Sequence, residues 1–172
     1  MANPRPPTPP PGPGPTEHQP ARPPETEGVH RLRVRYCECD PMRVAHHASY
    51  VPWLEEARTE LLRTSGIAYS QLEAAGVYLA VIGLQIAYKR PALYDDLLDI
   101  HVRVASVTRV KIRHEYEVRL AERPGLSPEE TETFRQAGHD LLITAETTLA
   151  CLDAQGRPRV LPAWLAETPP AT

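Results

Sequence analysis

Only one long stretch of this chain repeats with a helical period, and most of the remainder alternates; that imbalance limits how the chain can bury its apolar surface. Tyr50, Trp53, Leu54, Ala57, Leu61 and Leu62 recur at helical spacings, with Glu55, Glu56, Arg58, Glu60 and Arg63 between them. This pattern is an amphipathic helix with one apolar stripe. Ser49 is the expected N-cap, Pro52 is tolerated in the first turn and Gly66 suits the C-terminal stop. A shorter helical piece is expected over 70–75. Strand patterns flank these helices. Leu32, Val34 and Tyr36 alternate within 31–37, and Val77 to Tyr88 is a continuous β-prone run. Three further sets alternate over 98–104, 110–120 and 141–151. The helix must bury its stripe, and the only large surface available is a sheet. The expected class is α+β, a curved antiparallel sheet wrapped around one long central helix.

The first 28 residues stand apart. They hold eleven of the chain's 20 prolines and almost no apolar side chains. The segment 1–28 therefore reads as a disordered, polyproline-leaning tail, 29–165 as the folded domain and 166–172 as a frayed end. The tail can also be read as a docking segment for a proline-binding groove. The stretch 123–138 interrupts the alternation with Pro124, Gly125, Pro128 and several acids. It reads as a long loop with a helical turn over 128–134.

Composition narrows the function. The formal net charge is -3, which does not favour a nucleic-acid partner. No run of apolar residues is long enough for a membrane span, and no apolar leader is evident. Cys37, Cys39 and Cys151 are an odd number and point to reduced thiols and a cytoplasmic location rather than to a disulfide framework.

The chemistry-bearing residues crowd into Tyr36–Tyr50, YCECDPMRVAHHASY, between the first strand and the long helix. Glu38, Asp40, His46 and His47 fall within ten residues. Pro41 holds Asp40 extended. The loop feeds into a helix N-terminus, where free N–H groups and the positive end of the macrodipole collect. Such an end can stabilise a carbonyl oxygen as it gains charge, while a carboxylate opposite attacks the carbonyl or activates water. Cys37 and Cys39, with the two histidines, also raise the question of zinc. Both cysteines are expected on one strand face, and their spacing is tighter than structural zinc sites use, so no metal and no cofactor is expected. Glu38 reads as a surface charge at a strand end.

The order Tyr36-x-x-Cys39-Asp40-Pro41, Val44, His47, Tyr50, Trp53-Leu54, Ala57-Arg58, then Tyr88-Lys89-Arg90-Pro91-Ala92 and Asp95-Asp96-Leu97 resembles the 4-hydroxybenzoyl-CoA thioesterase family, including its Tol-Pal-associated acyl-CoA thioesterases. The resemblance covers roughly 31–161. It implies a hot-dog fold and hydrolysis of an acyl-CoA at a site between subunits of a homodimer or homotetramer. It implies Asp40 as nucleophile or general base, and His47 as the residue whose backbone N–H polarises the thioester carbonyl. His46 and Tyr50 would line the site. Lys89, Arg90, Arg109, Lys111 and Arg113 are candidates for the CoA phosphates, set against their alternative as solvated charges. Two departures bear on the loop. Met42 and Arg43 stand where the family usually has a glycine, which predicts an altered loop conformation. Ser49 stands where the family often has asparagine. The Met42-Arg43 departure keeps open a second reading, a non-catalytic acyl-CoA or acyl-carrier binding module. A third is a scaffold recruited through the proline tail.

Overall fold

The computed structural model describes residues 23–166. Of the expected tail, residues 1–22 lie outside the described residues, as do 167–172 of the expected frayed end. The elements run β1 (Glu27–Arg33), α1 (Tyr50–Thr64), α2 (Tyr69–Ala74), β2 (Tyr78–Tyr88), β3 (Leu97–Val107), β4 (Lys111–Glu122), α3 (Pro128–Gln136), β5 (Leu141–Leu152) and α4 (Ala163–Ala166). The strands form one antiparallel five-stranded sheet in the order β1-β3-β4-β5-β2. Register shifts interrupt β2, β3 and β4, and each such bulge adds local bend and twist.

Alternation decides which side chains face α1. In β3, Leu98, Ile100, Val102 and Val104 are buried, and in β4 so are Ile112, His114, Tyr116, Val118 and Leu120. In β5 the inward set is Ile143, Ala145, Thr147, Leu149 and Cys151. The stripe of α1 meets them with Tyr50, Trp53, Leu54, Ala57 and Leu61. Two polar members of this inner face differ: Tyr116 is hydrogen-bonded, whereas the buried His114 Nδ1 has no hydrogen-bond partner among the described residues. Tyr116 shares a 2.9 Å hydrogen bond with Thr147, and burial raises its pKa to about 12. His114 is pushed down to about 4, chiefly by burial and then by the charge of Arg58, so it sits neutral under the helix. The opposite face of the sheet is charged and cross-paired: Arg31 with Asp99, Arg103 with Glu115, and Arg113 with both Glu115 and Glu146.

Three local expectations need correction. The first strand is Glu27–Arg33, not 31–37, so the fold begins two residues inside the segment read as tail. It ends early because Val34 donates to Asp96 and the chain then turns into a 3-10 helix, Tyr36–Glu38, closed by the Glu38 carboxylate on the Arg35 N–H. Cys37 and Cys39 consequently do not share a strand face; Cys37 is exposed on the turn and Cys39 is half-buried beyond it. Ser49 does not cap α1. It already has helical φ and ψ, because a 3-10 turn, His47–Ser49, runs straight into the helix and moves the cap back to His46, whose Nδ1 accepts from Ala48 N–H at 3.2 Å.

The insertion between β4 and β5 is more ordered than a single turn. Ser127 caps α3 by accepting from Glu130 N–H, and Glu130 returns the favour to Ser127 N–H. At its base, Asp96 is fully buried and accepts from Arg123 twice, at 2.7 and 2.8 Å, and from Leu93 N–H at 2.7 Å. Removing one partner of such a pair leaves a buried charge uncompensated. Arg123→Ala is therefore expected to destabilise the protein by about 3 kcal/mol and lower Tm by roughly 6–12 °C in a calorimetric scan. A change under about 2 °C would mean that Asp96 is held without it.

Candidate active site

The loop between β1 and α1 is a pinched hairpin whose two limbs hydrogen-bond to each other. Asp40 N–H donates to Val44 C=O at 2.9 Å, Cys39 and Ala45 form a bridge, and His46 N–H donates to Glu38 C=O at 2.8 Å. The second limb is tied outward as well: Val44 bridges to Leu93, and Ala45 N–H donates to Ala92 C=O at 2.8 Å. The catalytic candidate thus sits on a backbone held from both sides.

At the tip, the Asp40 side chain folds an Asx turn. Its Oδ1 accepts from Met42 N–H at 2.8 Å, and its C=O accepts from Arg43 N–H at 2.9 Å. Among the described residues, Oδ2 has no hydrogen-bond partner. Met42 and Arg43 are the two residues expected to resist a turn of the kind glycine favours. Arg43 itself takes the left-handed conformation, φ 65, where a glycine would be comfortable. The cost for a side-chain-bearing residue, about 1–2 kcal/mol, is offset by the turn's three hydrogen bonds and the bridge at Val44.

Glu38, read from sequence as a surface charge, is 8% exposed. Its Oε1 accepts from Trp53 Nε1–H at 2.9 Å and from Arg35 at 2.7 Å, and its Oε2 accepts from Arg35 N–H at 2.7 Å. Its C=O takes Ser49 Oγ–H, at 2.9 Å, in addition to His46 N–H. Burial pushes its pKa up, but the hydrogen bonds from Arg35 and Trp53 outweigh burial and hold it below its ordinary value of 4.5. Glu38 therefore fastens the Asp40 loop to the first turns of α1. Sequence carried no signal for this beyond the spacing of fifteen residues to Trp53.

The helix entrance supplies the second half of the arrangement. His47 opens the 3-10 turn, and among the described residues no acceptor takes its N–H. Its C=O accepts from Tyr88 Oη–H at 2.9 Å, which links the helix start to the end of β2. His46 and His47 are both exposed, with ring centroids 4.1 Å apart. Tyr50, expected to line the site, is instead 2% exposed and packed against Trp53 and Tyr88; its hydroxyl accepts from Ala92 N–H at 3.2 Å. It supports the wall rather than opening onto it. From sequence Tyr88 entered only as part of the Tyr88–Ala92 motif, with no site role.

The cationic candidates separate. Lys89 and Arg90 follow Tyr88 directly, and both backbone N–H groups donate to Leu142 C=O, so they flank the His47 end. Arg109, in the β3–β4 turn, and Lys111, the first residue of β4, lie at the other end of the 11-residue β3. Arg113 is taken up by Glu115 and Glu146. Among the described residues, no group of three or more His, Cys, Asp or Glu side chains converges as a metal site, and no helix is long and apolar enough to cross a membrane.

The family model described as "Thioesterase-like superfamily" matches residues 34–168. The chain is 33% identical over 124 residues to the putative acyl-CoA thioesterase YneP of Bacillus subtilis, covering 72% of this chain and 78% of that one. It is 33% identical over 132 residues to the acyl-CoA thioester hydrolase YbgC of Escherichia coli, covering 76% and 87% respectively. Among solved structures, a probable thioesterase from Bartonella henselae superposes with a TM-score of 0.66 at 26% identity, over 79% of this chain and 99% of that one.

The depressed Glu38 pKa has a signed consequence. Its contribution to stability is present above about pH 4.5 and is lost as pH falls through the lower folded value. Urea midpoints measured from pH 6 to pH 3 are expected to fall less steeply below pH 4.5 in Glu38→Gln than in the wild type. Parallel curves would remove the linkage.

Proposed function

The chain belongs to the thioesterase-like superfamily and is a thioester hydrolase of the hot-dog fold, and from that premise we propose that it hydrolyses an acyl-CoA to the free acid and CoA at the Asp40–His47 loop. The observation that carries this is that, among the described residues, one carboxylate oxygen of Asp40 and the His47 N–H, in the 3-10 turn that leads into α1, are both without a partner on a loop braced by Glu38.

The thioester carbonyl oxygen accepts from His47 N–H, aided by the positive end of α1. Asp40 then either attacks the carbonyl carbon, giving an acyl-aspartyl anhydride that water cleaves, or takes a proton from an attacking water. In both routes the C–S bond breaks and the CoA sulfur leaves as thiolate and is protonated. His46 lies beside the reacting end, and Lys89 and Arg90 are suited to CoA phosphates. No metal or cofactor enters a step. The residue matches along the loop and helix, together with the YbgC relative, support a place in the 4-hydroxybenzoyl-CoA or Tol-Pal-associated branch. The free thiols of Cys37, Cys39 and Cys151 support a cytoplasmic setting.

The working unit we infer is a homo-oligomer, a dimer or a pair of dimers. β2 is an edge strand of 11 residues, and Val81, Ile82, Leu84 and Tyr88 are 42–54% exposed on it. A long apolar edge left open is an aggregation hazard that pairing with a second copy removes. Antiparallel pairing of two β2 edges would set the start of one strand against the end of the other. Arg109 and Lys111, too far from Asp40 in their own chain, would then turn toward the partner's site.

Asp40→Asn keeps the shape and removes the charge. Thiol release from a panel of short, long and aromatic acyl-CoAs is expected to fall at least 1000-fold with the oligomer intact. Equal turnover in both proteins, or none on any acyl-CoA in the wild type, would move the reading to a non-catalytic acyl-CoA or acyl-carrier binding module. Ile82→Lys, on the bulge of β2, is expected to shift the native mass toward the monomer and to lose turnover with it.

A further inference from the structure

On the far side of the Asp40 loop the protein displays a group of side chains that neither the fold nor the hydrolytic step uses. Tyr36 is 80% exposed, Tyr94 54% and Met42 76%. The two tyrosine rings pack edge to face, with centroids 5.6 Å apart and an interplanar angle of 90°. An edge-to-face pair covers one ring face and leaves the others to solvent. The Val44–Leu93 bridge is antiparallel, so Arg43 and Tyr94, each one residue from it, flank it at the same end.

The cations on this rim are not equivalent. Arg33 is held by Asp95 and Arg35 by Glu38. Arg43 is exposed, and among the described residues its guanidinium has no hydrogen-bond or ion-pair partner. It is also one of only two non-glycine residues at positive φ among the described residues. A turn that keeps an arginine where glycine is cheaper is keeping the side chain at the expense of the backbone.

We propose that Tyr36, Tyr94 and Arg43 form the platform for the adenine-nucleotide end of the acyl-CoA substrate, with the base stacked on the tyrosine pair and the phosphates taken by the Arg43 fork. The inference rests on the acyl-CoA reading above and adds to it where the nucleotide is recognised. The ligand chemistry follows from the group itself. Open aromatic faces stack on any base, and an unpaired guanidinium binds phosphate oxygens in a fork. The Arg43 N–H is bonded to the Asp40 C=O at 2.9 Å, so platform and scissile end are joined through one rigid turn. Tyr36, four residues before Asp40, lies at most about 14 Å from it along the chain, which leaves the pantetheine arm to cross the interval. Lys89 and Arg90, at the His47 end, then face the pyrophosphate side of that arm.

The test compares an acyl-CoA with the same acyl group on N-acetylcysteamine, a thioester that ends before the nucleotide. Kinetics are measured on the full-length oligomer for the wild type, Tyr36→Ala, Tyr94→Ala and Arg43→Gly, with native mass recorded for each. Expected are a KM for acyl-CoA raised about 5- to 100-fold, a kcat held within about twofold, and unchanged kinetics on the truncated thioester. Arg43→Gly is expected to do this while raising Tm. Calorimetric titration with adenosine 3′,5′-bisphosphate is expected to show binding to the wild type that weakens at least fivefold in each variant. An equal loss on both thioesters, an unchanged KM for acyl-CoA, or dissociation of the oligomer would overturn the platform while leaving hydrolysis standing. A loss confined to acyl-carrier-protein thioesters would reassign the surface to a carrier protein. Wild-type inactivity on both small thioesters would instead sink the hydrolytic reading, and the bisphosphate titration would then decide the platform alone.

Discussion

The Asp40 loop depends on the buried carboxylate of Glu38. One side chain accepts from the indole of Trp53 in the core of α1 and from both the backbone and the guanidinium of Arg35, while its carbonyl takes His46 N–H and Ser49 Oγ–H. A carboxylate this deep is costly unless its lone pairs are filled, and here charge-assisted donors fill them. The result is a loop whose two limbs and following helix share one anchor. Asp40 and the His47 N–H are therefore carried by a single rigid piece, which is what stabilising charge at a carbonyl requires.

Around that anchor, strain and charge are distributed unevenly. Asp96, fully buried, closes the neighbouring turn by holding Leu93 N–H and Arg123, and Leu93 in turn bridges to Val44 of the loop. The one strained residue of the loop, Arg43 at φ 65, sits between these two anchors. Glu38 and Asp96 are both buried and both paired, whereas Arg43 is exposed and unpaired among the described residues.

Much of this was legible in the residues. The stripe from Tyr50 to Leu61 and the alternations through β3, β4 and β5 predicted most of their buried faces, because periods of 3.6 and 2 translate directly into which side of an element is wet; at the ends Val110 and Leu141 are only half-buried, and Leu142 is buried beside Ile143. The Asp40–His47 cluster stood out by density alone. Glu38 and Tyr50 did not read correctly. A glutamate at an expected strand end looks like surface, and a tyrosine at a helix start looks like a pocket wall. Only the fold brings Trp53 Nε1 to Glu38 and Ala92 N–H to the Tyr50 hydroxyl. Arg109 and Lys111 looked equivalent to Lys89 and Arg90 as cations, yet β3 separates the two pairs by its whole length.

Sequence by itself determined the class of the fold, the helix that is central to it and the loop that holds the candidate site, since these follow from local periodicity, turn residues and the order of motifs. Tertiary structure decided everything that depends on a partner distant in the chain. It set which carboxylate is buried and which is open, and it let Arg43 hold a left-handed turn that its own preferences oppose. It also left β2, the most continuously apolar strand, exposed at the sheet edge. The physical reason is the same in each case. Burial, charge pairing and backbone strain are properties of contacts made across the sheet and between loops, and one-dimensional spacing does not encode which of those contacts will be made.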